Sequence, residues 1–138
     1  MDFSKFEEQA GVHFKDQALL KQAFTHRSYL NENRDSNLEH NERLEFLGDA
    51  VLELVVTNYL YKKLESANEG ELTSVRSALV NADTCSKVAQ GLGVNDFLLL
   101  SKGETKDTGR ARQFILANTL EAIIGAIYLD QGLERAQD

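Results

Sequence analysis

Apolar residues in this chain recur at intervals of three and four, and no long run alternates polar with apolar, so the pattern predicts helices throughout. Proline is absent. Ser4–Ala10 predicts a short first helix stopped by Gly11, and Asp16 is placed to cap a second helix carrying Leu19, Leu20, Ala23 and Phe24. The polar run 31–37 predicts a loop. A long helix is expected over about 39–64. Its apolar positions, among them Leu44, Phe46, Leu47, Val51, Leu54, Tyr59 and Leu60, leave almost no wholly polar side, which predicts a core helix with neighbours on most faces. A turn at 68–70, helices over about 71–81 and 83–91, and a short apolar stretch at 97–100 follow. A polar loop at 102–109 and a last helix over about 110–129, ending near Gly132, complete the chain. No repeat, low-complexity run or linker divides residues 1–138, so the expectation is one all-α domain.

Composition narrows the class. With 138 residues, 42% of them hydrophobic, the chain can bury one core. The lone cysteine, Cys85, cannot form an internal disulfide and reads as a small core residue, which fits a reducing compartment. The first residues lack a secretory pattern, and the apolar stretch 42–62 carries Glu45, Asp49 and Glu53, so no membrane span is expected and the location reads as cytoplasmic. Fifteen Lys+Arg against 22 Asp+Glu leave a net charge of −7, which repels phosphate at long range. A site for divalent cations must itself be acidic, however, and the bound metal reverses the local sign.

Such a site is written into two helices. In Glu42-Arg-Leu-Glu45-Phe-Leu-Gly-Asp49, the second and third acids fall about 60° and about 20° from Glu42 around the helix, on one stripe. In the last helix Asn118 and Glu121 share a face with Gly125, which leaves room for another helix to approach. Carboxylates between packed helices are costly unless paired or coordinating metal. Packed face to face, the two helices would gather Glu45, Asp49, Asn118 and Glu121 into an all-oxygen cluster suited to Mg²⁺ or Mn²⁺ rather than Zn²⁺. The alternative is that these acids pair with Arg43, Arg76, Arg110 or Arg112, or are simply solvated.

The run His40-Asn-Glu-Arg-Leu-Glu-Phe-Leu-Gly-Asp-Ala-Val-Leu52 resembles the signature of the ribonuclease III family. Thr25-His-Arg-Ser28, Asn68-Glu-Gly-Glu71, Lys102-Gly-Glu104 and Ile115-Leu-Ala-Asn-Thr-Leu-Glu-Ala122 match in order, so the likeness spans about residues 6–132. It implies a homodimeric all-helical endonuclease domain that cuts double-stranded RNA with Mg²⁺ (Mn²⁺ substituting), leaving 5′-phosphate and 3′-hydroxyl ends. Precursor ribosomal RNA and structured messenger RNA are the implied substrates. By the same resemblance, Glu45, Asp49 and Glu121 are metal-binding carboxylates, with Asp49 and Glu121 most directly catalytic. Glu42 and Glu69 line the cleft between subunits and help place RNA, and Phe46 plugs a socket on the partner.

Two departures stand out. Asn118 occupies a position where many family members carry Asp, so one ligand would bring no charge. The double-stranded RNA-binding domain that the family usually appends is absent from this chain, so weak, salt-sensitive RNA affinity is expected. Among other residues, His26 and Arg27 read as structural, His40 as a cap or supporting group, and Glu53 as solvated or ion-paired. Lys102, Lys106, Arg110 and Arg112 are candidates for meeting phosphate. The rival reading is a non-catalytic member kept as a dimerisation or RNA-scaffold module; such members usually lose several acids, whereas one position is altered here.

Overall fold

The computed structural model describes residues 3–32, 39–106 and 109–133. Among them the chain forms eight α-helices: α1 (Ser4–Ala10), α2 (Gln17–Ala23), α3 (Arg27–Glu32), α4 (Glu42–Lys63), α5 (Glu69–Leu79), α6 (Ala82–Gly91), α7 (Lys102–Lys106) and α8 (Arg110–Gln131). A 3-10 turn at Val94–Phe97 links α6 to α7. Among the described residues there is no strand, and one isolated backbone bridge joins Thr25 and Leu99.

Local signals explain most boundaries. Gly11 adopts φ 71° at the end of α1, a left-handed conformation that glycine takes without strain. The Asp16 carboxylate accepts the Ala18 and Leu19 amides at 3.1 and 3.3 Å, capping α2. At 68–70 the predicted turn is instead the start of α5. Asn68 accepts the Glu71 amide at 2.9 Å and donates to the Glu71 carboxylate at 2.9 Å, a reciprocal cap that draws Glu69 and Gly70 into the first helical turn. The predicted polar loop at 102–109 contains α7. Its first turn is secured when Ser101 Oγ accepts the Glu104 amide, and Glu32 accepts the Lys102 amide, at 3.2 and 3.1 Å. Of the loop expected at 31–37, Asn31 and Glu32 belong to α3, and residues 33–37 lie outside the described ones, as do 107 and 108 of the second loop.

The core gathers Phe3, Phe6, Phe24 and Phe97 with Leu20, Leu116, Leu120 and Ile123. Phe6 meets Phe24 edge-on at 5.0 Å between ring centres, and Phe3 stacks on Phe24 at 5.1 Å. Fully burying each such ring contributes roughly 2–3 kcal/mol. The free Cys85 is buried, as expected.

Helix α8 is the central rod, buried along Ile115, Leu116, Ala117, Leu120, Ile123 and Ala126. Helix α4 is not. Of its apolar residues only Leu44, Val51 and Leu60 are buried, while Phe46, Leu54 and Tyr59 are exposed. A helix apolar all round needs neighbours on all sides, and within one chain α4 packs mainly on α8 and α5.

Candidate active site

The first turn of α4 is anchored by residues outside it. The Asn41 side chain, buried, donates to the Ala23 carbonyl at 2.9 Å, and its backbone amide donates to the Thr25 carbonyl at 2.9 Å. That commitment leaves the helix end without an Asn41 side-chain cap. His40 replaces it, its Nδ1 accepting the Glu42 amide at 3.3 Å. The start of α4 is thereby held beside His26 and Arg27 at the start of α3.

Further along, α4 crosses α8 with no side chain between the backbones. A methyl group at Gly48 would overlap the carbonyl oxygen of Glu121, and one at Gly125 would overlap the carbonyl of Leu44. Two helices can approach so closely only where glycine removes the Cβ. The crossing brings the acidic stripe of α4 against the Asn118–Glu121 face of α8. Together with His26 and Arg27 they line one cleft of about 690 Å³ containing Glu42, Glu45, Phe46, Asp49, Asn118 and Glu121.

The electrostatics record the crowding. Burial, then the charge of Asp49 and a hydrogen bond with it, push the Glu121 carboxyl up to about 7, with Glu45 and Glu53 adding to the shift. Burial and the neighbouring Glu42 and Asp49 also raise Glu45. The field reaches through the core, since the Cys85 thiol is pushed up by burial and by Glu121 and Asp49. Like charges at this spacing favour a shared proton in the absence of a counter-ion.

Two of the predicted arginine partners, Arg76 and Arg112, are engaged elsewhere. Arg76 donates to the Thr57 hydroxyl at 3.0 Å, and Arg112 is buried, bonded to the Asn95 side chain at 2.7 Å and the Glu104 carbonyl at 2.8 Å. Arg112 is therefore a brace between α7 and α8 and cannot meet phosphate in this conformation. The cleft's ion pair is Arg27 with Glu42, 3.6 Å apart and largely exposed. His26 and Arg27 thus belong to the cleft as well as to the scaffold. Sequence spacing could not place them there, because the segment reaches the site through tertiary contacts, among them the Thr25–Leu99 bridge and the Asn41 anchor.

Among the described residues, no three His, Cys, Asp or Glu side chains converge as a ready-made metal cage. The donor set fits a hard divalent cation in kind: three carboxylates, of which Glu45 and Glu121 are raised by burial and acidic neighbours, and one amide, all offering oxygen. Glu45, Asp49, Asn118 and Glu121 are the residues that could hold it. Glu69 stands elsewhere, lining a separate hollow between α4 and α5 with Thr57, Tyr61 and Arg76. Glu53 is exposed one turn beyond Asp49. Phe46, at the cleft's edge, is 82% exposed and is no core residue.

Residues 16–138 match the protein family described as Ribonuclease-III-like. The chain belongs to the ribonuclease III family. It is 54% identical over 132 residues to Ribonuclease 3 of Protochlamydia amoebophila, covering 96% of this chain and 54% of that protein. It is 50% identical over 138 residues to Ribonuclease 3 of Oceanobacillus iheyensis, covering all of this chain and 60% of that one. The chain therefore spans somewhat over half the length of these ribonuclease III relatives. The fold is similar to the nuclease domain of ribonuclease III from Campylobacter jejuni, with a TM-score of 0.89, 44% identity and coverage of 99% and 91% of the two chains. Dicer from Pichia stipitis is similar over 87% of this chain and 48% of its own, with a TM-score of 0.63 and 34% identity.

Proposed function

We propose that this chain is the endonuclease domain of a metal-dependent ribonuclease III, a cytoplasmic homodimer that hydrolyses double-stranded RNA in ribosomal and messenger RNA processing. The observation that carries the reading is the Asp49–Glu121 pair, two carboxyls within hydrogen-bonding reach in an open cleft lined also by Glu45 and Asn118.

In the reaction, the oxygen of water bonds to phosphorus, the bond from phosphorus to the 3′-oxygen breaks, and a proton ends on that oxygen. The fragments carry 5′-phosphate and 3′-hydroxyl ends. A bound Mg²⁺ or Mn²⁺ supplies an acidified water and a sink for charge on the departing oxygen. The protein's part is to present oxygen ligands. In the metal-free cleft burial and Asp49 push the Glu121 carboxyl up to about 7, and a bound dication would offset that crowding and keep the carboxylates ionised as ligands. Asn118 offers an oxygen without charge. Glu42, paired with Arg27, stands at the rim, where an approaching strand would pass.

The homodimer reading draws on the apolar surface left bare in one chain. Phe46 projects beside a hollow of about 680 Å³ whose lining includes Leu19, Leu44, Leu47 and Leu129. A two-fold pairing would place each Phe46 in the partner's hollow and cover the exposed side of α4. The Campylobacter jejuni nuclease domain has a region involved in dimer formation. In such a dimer two clefts would face one A-form duplex, each cutting one strand, with Glu69 contributing at the subunit boundary. Recognition would rest on shape, phosphates and 2′-hydroxyls.

The decisive experiment incubates an end-labelled RNA duplex with the chain at low salt, with and without Mg²⁺. Metal-dependent cutting to 5′-phosphate ends is expected, falling by at least about a thousandfold in Asp49→Asn and Glu121→Gln. Duplex binding with no metal-dependent cutting at any protein concentration would instead favour the scaffold reading.

A further inference from the structure

Resting on the nuclease reading and deepening it, we propose that His26 is an RNA-binding residue that donates a neutral hydrogen bond from Nε2 to a backbone oxygen of the duplex. The donors around the ring assign its tautomer. The Ser28 amide donates to Nδ1 at 3.2 Å, and an amide N–H can only donate, so that nitrogen carries a lone pair. The Ser28 hydroxyl lies 2.8 Å from the same nitrogen, while its oxygen accepts the Ser101 amide at 3.0 Å. Its own proton is then free to point at Nδ1. With Nδ1 accepting, the neutral ring bears its proton on Nε2.

That Nε2–H has no hydrogen-bond partner among the described residues, and His26 lines the cleft with Glu45, Asp49, Asn118 and Glu121. The ring is pre-set. Its backbone amide donates to the Leu99 carbonyl at 3.0 Å, and the Ser28 contacts hold the opposite edge of the imidazole. Burial lowers its pKa, with Arg27 and His40 acting the same way, and Glu104 and Glu42 opposing without overturning the direction. A neutral donor therefore stands at the rim of a cleft whose other groups are mostly acids. Such acids repel RNA phosphate, so a donor that pays no ion-pairing cost is the useful complement, and RNA backbones offer two acceptors: the non-bridging phosphate oxygen and the 2′-hydroxyl.

The two ring nitrogens can be separated by substitution. In His26→Asn, Oδ1 can accept the Ser28 amide as Nδ1 does, and Asn is a good residue at a helix start, but nothing reaches the Nε2 position. In His26→Gln the amide nitrogen reaches that position. Duplex binding is measured by fluorescence anisotropy in Mg²⁺ on the Glu121→Gln background, so that no strand is cut, alongside Tm. His26→Asn is expected to weaken binding about tenfold with Tm unchanged, and His26→Gln to recover much of the loss. With Glu121 intact, the Asn variant should raise KM more than it lowers kcat.

A duplex with 2′-deoxy residues in one strand identifies the acceptor. If the Asn effect vanishes there, the 2′-hydroxyl is the acceptor; if it persists, the phosphate oxygen is. Equal binding by His26 and His26→Asn would overturn the proposal, as would equal weakening of both variants with a matching fall in Tm. Should the parent chain bind duplex but never cut it, the nuclease reading fails while the binding comparison still decides the role of His26. No binding at all sinks both.

Discussion

Gly48 of α4 rests against the carbonyl of Glu121 in α8, so the backbone that carries one acid of the cleft is itself the contact surface for the other helix. The separation of Asp49 from Glu121 is thus set by glycine, and the acid pair exists because a Cβ is missing one residue away. Gly48→Ala tests this. In an exposed helix the change would gain about 1 kcal/mol from propensity. Here overpacking should outweigh that gain and leave a net loss of roughly 1–3 kcal/mol. Thermal melts should show a lower Tm, with cleavage reduced beyond what the unfolded fraction explains. An unchanged Tm would mean the helices do not cross so closely.

Metal-free stability should fall with rising pH. Glu121 holds its proton more tightly folded than unfolded, with a value of about 7 against 4.5. Its stabilising contribution is complete below about 4.5 and is lost as pH rises through 7. Discounted for a half-exposed site, the change is roughly 1–2 kcal/mol. Chemical denaturation at pH 5 and pH 8 in EDTA should resolve it. The Glu121→Gln variant should flatten the profile, and Mg²⁺ at pH 8 should restore stability to the parent.

Asn118→Asp adds a fourth carboxylate. It should lower the Mg²⁺ concentration that gives half-maximal cutting by about tenfold, and destabilise the metal-free chain at pH 8. A calcium- or magnesium-free melt and a Mg²⁺ titration of cleavage check the two halves. If the titration midpoint does not move, Asn118 is not a ligand.

Phe46→Ala should leave the protomer's own folding almost untouched, because 82% of that residue is exposed within one chain. Sedimentation should show a weaker dimer, by roughly 2–4 kcal/mol per pair of sockets emptied. A dimer of unchanged strength would move the interface elsewhere.

Helix identity was legible in the chain wherever the signal was local: the Asp16 cap, the left-handed Gly11, and the stripe that aligns Glu42, Glu45 and Asp49. Helix α7 and the first turn of α5 were not, since short helices hang on single caps whose competition with loop geometry no periodicity reports. The apolar girth of α4 predicted a core helix with neighbours on most faces, and within one chain that expectation fails, since Phe46, Leu54 and Tyr59 are exposed. A sequence lists apolar residues without saying whether one chain or two will cover them.

The acids of the cleft and their likeness to ribonuclease III were set by residue order alone, because ligand chemistry and helical spacing are properties of the linear chain. Tertiary structure decided the rest: that Asp49 and Glu121 meet in one cleft, that Arg112 is spent as a brace, and that His26 lines the same cleft. Those outcomes depend on where helices far apart in sequence cross, and crossing distance is fixed by packing between backbones that no single segment encodes.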